Sequence, residues 1–389
     1  MENLTLYNPT NIFFGRNVEE KVGEEIKKYG SKALLHYGEG SIKESGLYSK
    51  ILEILNKAGV QLIELGGVEK NPKLELVNKG IEFCKKNNVD FILAVGGGSV
   101  VDSAKAIALG ANYDEDVWEL FETKDDSIEA LPIGIVLTNP GSGSEASNYA
   151  VLTNEDTKSK ITYISNSLYP KFSFLNPELC FTLNEKQIGS AVAEILSHLI
   201  EKYLLNTKNV EITNRLIEGT MKTVINNAYK VIENNTSYEG FSEIIWSGAV
   251  AQNDILSTST LKRLEEHSLE NQICANYDLE HGEILSIMYP AIMKFLAKTY
   301  GDRIAQLGRR VFKVTGENLS IEEMAIETAK KLEEFYASIN MPTKLSELGV
   351  KEEELLEIIN KMTNNGNTTV NEFLELNKED IYNIYKLAF

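Results

Sequence analysis

A chain of 389 residues, 43% of them apolar, is long enough for two or perhaps three domains with cores of their own and too apolar to stay unfolded. Its 57 Asp and Glu against 39 Lys and Arg leave a formal net charge of -18, which argues against a nucleic-acid surface, because phosphate binding needs clustered cations. The opening Met1-Glu2-Asn3-Leu4-Thr5-Leu6 lacks the basic and then apolar order of a signal peptide, and no apolar run reaches the ~18 residues of a membrane span, so a cytoplasmic location is expected.

Short apolar runs alternate with amphipathic stretches through the first part of the chain. Residues 33–37, 61–65, 91–95 and 133–137 read as strands, and residues 18–29, 48–58 and 73–87 between them read as helices. Such alternation implies a parallel sheet with helices packed on it. Six of the eight prolines lie in the first 177 residues, and from about Asn184 onward the periodicity is helical almost throughout. Loops are expected near 206–209, 234–240 and 363–368. Ser320 and Glu323 form a capping-box pattern ahead of a helix whose apolar face runs from Ile321 to Tyr336 before Pro342. The natural boundary is the linker around 177–184, giving an α/β domain over 1–183 and a helical domain over 184–389.

Three glycine-rich stretches follow predicted strands. Gly96-Gly97-Gly98-Ser99, after the strand at 91–95, leads straight into a helix, so backbone amides and the positive helix end can approach a pyrophosphate. It is not the Gly-x-Gly-x-x-Gly fingerprint. Tyr37-Gly38-Glu39-Gly40-Ser41 and Thr138-Asn139-Pro140-Gly141-Ser142-Gly143-Ser144-Glu145 follow two other strands. Loops at the carboxyl ends of parallel strands line one sheet edge, where ligands bind in open α/β folds, and together the three favour a dinucleotide over a bare phosphate.

The chain has only four histidines, and three of them, His198, His267 and His281, stand at spacings a metal site needs. Glu194 precedes His198 by one helical turn, which puts a carboxylate and an imidazole on one helix face. With two later imidazoles they make a set suited to a divalent first-row metal, with room for a substrate oxygen. The alternative is a set of ordinary packing histidines. His36, at the end of a strand, has no ligand set beside it and reads as structural. The three cysteines, Cys84, Cys180 and Cys274, are far apart and fit a reducing compartment better than a disulfide framework; Cys274, between two of the candidate ligands, reads as a small buried apolar residue.

Asn8-Pro9-Thr10, Phe14-Gly15, residues 37–43, Asn71-Pro72, residues 96–106, Gly143-Ser144-Glu145, His281-Gly282 and Met341-Pro342-Thr343 as a set resemble, from end to end, the iron-containing (group III metal-dependent) alcohol dehydrogenase family, in its butanol dehydrogenase and NADPH-dependent aldehyde reductase branch. The resemblance implies a Rossmann-like amino-terminal dinucleotide domain, an all-α carboxy-terminal domain, the dehydroquinate synthase-like architecture and a metal in the cleft between them. It also implies a homodimer acting on a small alcohol or aldehyde such as butanol or butanal. The family's Asp-x-x-x-His and two later histidines map onto Glu194, His198, His267 and His281, with Fe2+ or Zn2+ as the metal. The cofactor contacts map onto Gly38, Ser41, Asn71, Gly97, Gly98, Ser99, Asp102, Thr138 and Lys160. The Ser41-bearing glycine loop implies NADP(H) over NAD(H), with Glu39 in the same loop as the feature opposed to a phosphate.

The chain departs from the family pattern in four respects. Glu194 stands where the family has Asp, Asn271 where a proton-relay histidine is usual, residues 263–266 differ from the usual Asp-Trp-Ala-Thr, and Ser142 replaces Thr. No protein acid or base is assigned, since asparagine cannot serve near neutral pH; the substrate oxygen would be polarised by the metal. A polyol dehydrogenase acting on glycerol or propanediol, or a nucleotide-binding paralogue without redox activity, are the alternative readings.

Overall fold

The computed structural model describes residues 5–205, 210–257, 267–277, 279–316, 318–370 and 374–389. Contacts divide the chain into two compact units. One comprises Tyr7–Leu183 with Asn235–Asn253, and the other is built on Asn184–Asn234 and the residues from Asp254 onward.

The first unit holds strands β1 (Asn11–Phe14), β2 (Lys32–Gly38), β3 (Gln61–Val68), β4 (Phe91–Gly96), β5 (Ile133–Leu137), β6 (Tyr149–Asn154), β7 (Ser159–Ile164) and β8 (Phe172–Leu175). Helices α1 (Val22–Ile26), α2 (Ser41–Glu44), α3 (Leu47–Lys57), α4 (Leu74–Asn87), α5 (Gly98–Ala111) and α6 (Val117–Thr123) lie between them. Six strands form one sheet in the order β1-β8-β5-β4-β2-β3, and every pairing in it is parallel. The central β4 and β5 are buried at every residue, as expected of parallel strands covered on both faces. On one face Leu35, Ile51, Leu55, Phe91, Leu93 and Phe172 belong to a single apolar cluster. The expected helix over 18–29 is shorter than its apolar pattern: a 3-10 turn at Val18–Lys21 precedes the five residues of α1. The antiparallel hairpin β6-β7 had no counterpart in the sequence reading, and it brings Lys160 into the site described below.

His36 on β2 is fully buried. Its Nδ1 donates to the Leu65 carbonyl at 2.8 Å, which leaves Nε2 to accept from Ser103 Oγ, also at 2.8 Å. Burial pushes the imidazole down to about 4, against the opposing pull of the Leu65 carbonyl. The folded ring stays neutral where the unfolded chain takes up a proton, so this contribution to stability is complete above the ordinary histidine range near 6.5 and is lost as pH falls towards 4. Between pH 7 and 4.5 the native protein should lose ~2–3 kcal/mol more than His36→Asn, whose amide keeps a donor near Nδ1 but does not titrate. Denaturant melts at the two pH values check this, and matching losses in both proteins would contradict it.

The second unit is helical: α7 (Glu185–Leu205), α8 (Glu211–Glu233), α10 (His267–Tyr277), α11 (His281–Leu296), α12 (Gly301–Leu307), α13 (Ile321–Ser338), α14 (Glu352–Met362) and α15 (Lys378–Leu387). Helix α7 packs on α8 and α11, and α11 packs in turn on α13 and α15. Ser320 Oγ accepts from the Glu323 amide while the Glu323 carboxylate accepts from the Ser320 amide, the reciprocal cap that the sequence pattern predicts for α13. Among the described residues no helix is long and apolar enough to cross a membrane.

Helix α9 (Tyr238–Gln252) departs from the expected division at 183/184, since it packs with the sheet unit. Its apolar face, Phe241, Ile244, Ile245 and Ala249, is buried, and the Phe241 ring lies 5.8 Å from that of Phe181. A helix with an apolar stripe must bury it somewhere, but periodicity does not name the partner.

Candidate functional site

The glycine loops come together at the carboxyl edge of the sheet. Thr138 closes β5 by donating its amide to the Gly96 carbonyl at 3.0 Å, which ties the loop after β5 to the loop after β4. The contact is close enough to require glycine. A Cβ on Gly98 would stand 2.5 Å from Ser142 Oγ and 2.7 Å from Ser142 Cβ, and one on Gly97 would stand 2.9 Å from Asn139 Cβ. Gly97, Gly98 and Ser99 open α5, a helix of 14 residues that places its positive end at this edge.

Lys160 reaches the same edge through the hairpin. It pairs with Thr153 across β6-β7, and the Thr153 amide donates to the Pro72 carbonyl at 2.9 Å, so the hairpin is pinned to the loop after β3. Lys160 Nζ then donates to Asn71 Oδ1 at 3.0 Å. Asn71 has φ 56°, a left-handed conformation that asparagine tolerates better than most residues. Gly38 ends β2, and Glu39 and Ser41 beyond it are exposed. Asp102 is held from within the chain. One of its oxygens accepts from Ser144 Oγ at 2.6 Å and the other from the Val151 amide at 3.2 Å, so the carboxylate ties α5 to the loop after β5 and to β6.

One buried group absent from the sequence expectations is Lys105, one turn beyond Asp102. Its ammonium is fully buried and donates to the carbonyls of Ser144, Ser147 and Tyr149 and to Ser144 Oγ. Burial pulls this amine down to about 8, with Asp102 and Glu145 opposing the shift, and burial raises the Glu145 carboxyl to about 7. The signal was present in the sequence as an Asp-x-x-Lys pair inside an otherwise apolar helix, where a charged residue on the buried face needs partners.

In the helical unit, Glu194 and His198 lie one turn apart on α7, with His198 buried. His281 is the first residue of α11, and the glycine after it sets how near that helix comes to α7. A Cβ on Gly282 would stand 2.3 Å from the Ser190 carbonyl oxygen and 2.6 Å from Ser190 Cα. Backbone contact at Ser190, one turn before Glu194, therefore requires glycine at 282. The Lys186–Glu283 ion pair, 2.9 Å, joins the same two helices.

His267 begins α10, which packs on α11; its side chain lies outside what the structure describes, as do residues 263–266. Asn271 and Cys274 on α10 are buried, and Cys274 Sγ lies 4.0 Å from His281 Nδ1. Among the described residues no three His, Cys, Asp or Glu side chains cluster closely enough to hold a metal ion. The donor set itself fits one: a carboxylate and imidazoles suit a divalent first-row ion.

A parallel-sheet unit with glycine loops at its carboxyl edge is joined in one chain to a helical unit that carries Glu194, His198 and His281, and both parts match one family. Residues 9–177 match the iron-containing alcohol dehydrogenase family, and residues 190–389 match the C-terminal domain of the Fe-containing alcohol dehydrogenase family. The chain is 41% identical, over 100% of both chains, to the probable NADH-dependent butanol dehydrogenase 1 of Bacillus subtilis (strain 168). It is 29% identical, again over 100% of both, to the NADPH-dependent aldehyde reductase YqhD of Escherichia coli (strain K12). The crystal structure of NADH-dependent butanol dehydrogenase A from Thermotoga maritima superposes with a TM-score of 0.94 at 35% identity, covering 100% of this chain and 99% of that one. The chain belongs to the iron-containing alcohol dehydrogenase family.

Proposed function

We propose that this protein is an alcohol dehydrogenase working as an aldehyde reductase, passing hydride between a nicotinamide dinucleotide and a small alcohol or aldehyde such as butanol or butanal. The observation that carries the reading is the convergence of the loops after β3, β4 and β5 with Lys160 at one sheet edge, closed by the Lys160–Asn71 contact of 3.0 Å. Gly97, Gly98 and Ser99 bind the pyrophosphate through backbone amides, and Lys160 and Asn71 orient the sugar and phosphates next to it. Glu194, His198, His267 and His281 would hold one divalent metal, which would supply Lewis acidity for the substrate oxygen. Asn271 neither gives nor takes a proton near neutral pH, so solvent supplies it. Metal content of the purified protein, measured with oxidation of NADH and NADPH by butanal, tests the whole reading; a protein that binds dinucleotide but carries no metal and reduces no aldehyde would support the paralogue without redox activity.

Glycerol and propanediol belong in the same assay, because a polyol dehydrogenase would use the same loops and metal. Between the two dinucleotides, NADH is proposed, in place of the NADP(H) expected from Gly38 and Ser41. Glu39 is exposed just beyond β2; a carboxylate there accepts hydrogen bonds from ribose hydroxyls and repels a 2'-phosphate. The names of the Bacillus and Thermotoga relatives agree with this choice, while that of the Escherichia protein does not. The kcat/KM for NADH should exceed that for NADPH by about tenfold or more, and Glu39→Gly should narrow the gap by about tenfold. A clear NADPH preference in the parent protein would overturn the assignment.

A further inference from the structure

We propose that Lys105 is a positioning residue for the dinucleotide: its buried ammonium clamps the 142–149 segment onto α5 and so sets the gap between the two loops that face the pyrophosphate. The inference rests on the cofactor site proposed above. An ammonium has three N–H groups, yet Lys105 Nζ has four oxygens at 2.7–2.8 Å, those of the Ser144, Ser147 and Tyr149 carbonyls and of the Ser144 hydroxyl. The segment is wrapped around the cation much as a chain wraps a monovalent metal ion. Ser144 Oγ also donates to Asp102 at 2.6 Å, so two side chains one turn apart on α5 grip one residue of the loop.

This grip is transmitted to the ligand-facing side. The Ser144 amide donates to Ser142 Oγ at 3.2 Å, and Ser142 is the residue against which Gly98 packs. Helix α5 thus offers its first amides to the dinucleotide at one end and, two turns on, holds the loop that bounds those amides. Without the cation the three carbonyls have lost their shared buried donor, and the loop has reason to turn them towards water. At neutral pH the amine remains charged, with Asp102 and Glu145 favouring the ammonium against burial.

Because the Lys105 ammonium is buried and bonded to the loop, its loss should act on affinity more than on the chemical step. For Lys105→Met, the dissociation constant for NADH, read by fluorescence titration, should rise about tenfold or more while kcat at saturating NADH and butanal stays within about threefold of the parent. Ser144→Ala, which keeps the ammonium and the three carbonyls but removes the link to Asp102, should raise it about threefold. Should Lys105→Met fail to fold, Ser144→Ala decides the matter by itself. Parent-like NADH affinity in a folded Lys105→Met, or in Ser144→Ala when that variant stands alone, overturns the proposal. Equal loss of kcat and affinity would likewise overturn it, since positioning predicts a split. Gly98→Ala separates this failure from failure of the site: if it weakens NADH binding while Lys105→Met does not, the cofactor site stands and the clamp falls, and if Gly98→Ala also binds as the parent does, both fall.

Discussion

Replacing His281 by alanine should remove the metal proposed to bind there and, with it, the proposed aldehyde reduction, lowering turnover by on the order of 10²-fold or more. His281 opens α11, and Gly282 beside it allows that helix to touch α7 backbone at Ser190, one turn from Glu194. The substitution deletes the imidazole and leaves the glycine contact intact, so the helices keep their packing and the thermal midpoint of the metal-free protein should hardly move. Elemental analysis and a melt in the presence of a chelator read the two quantities separately. Full metal occupancy in the variant would remove His281 from the ligand set. Glu194→Asp serves as the opposite arm. If the extra methylene at this position misplaces the carboxylate, shortening it should keep the fold and raise metal affinity or butanal turnover; abolished metal binding would show that α7 and its neighbours are adapted to glutamate.

Gly98→Ala should raise the dissociation constant for NADH by about tenfold or more, without abolishing folding. The added Cβ would stand 2.7 Å from Ser142 Cβ, so the Ser142 side chain cannot escape by rotation alone and the loop after β5 must move away from the loop after β4. Separation of those loops disturbs the amides proposed to line the pyrophosphate. Because Gly98 is the first residue of α5, alanine suits its helical conformation, which makes steric displacement rather than backbone strain the cause of the loss. Calorimetric titration of NADH and a thermal melt check both halves of the expectation. Unchanged affinity would place the dinucleotide elsewhere.

Much of this is legible in residue order because it depends on local periodicity. Buried parallel strands require continuous apolar runs, and 91–95 and 133–137 supply them; the three glycine stretches follow strand ends because turns there admit little else. The capping box at Ser320 and the i, i+4 relation of Glu194 to His198 are equally local. The hairpin β6-β7 is not legible in the same way, since its strands carry polar and charged residues such as Lys160 and depend on pairing with each other and on the Thr153–Pro72 contact.

Tertiary structure alone decides which surfaces meet. Periodicity makes 238–252 a helix, but only packing assigns α9 to the sheet unit, because an apolar stripe is satisfied by any complementary apolar face. The same holds for charge. Lys105 reads as one more lysine until the fold wraps three carbonyls and a hydroxyl around it, and only the fold shows that the oxygens of Asp102 are bonded to Ser144 and Val151. Residue types and their spacing determine which chemistry this chain can carry and which segments coil or extend; the long-range burial of polar groups, whose cost is offset only by partners brought from distant parts of the chain, determines which of those residues face a ligand and which hold the loops in place.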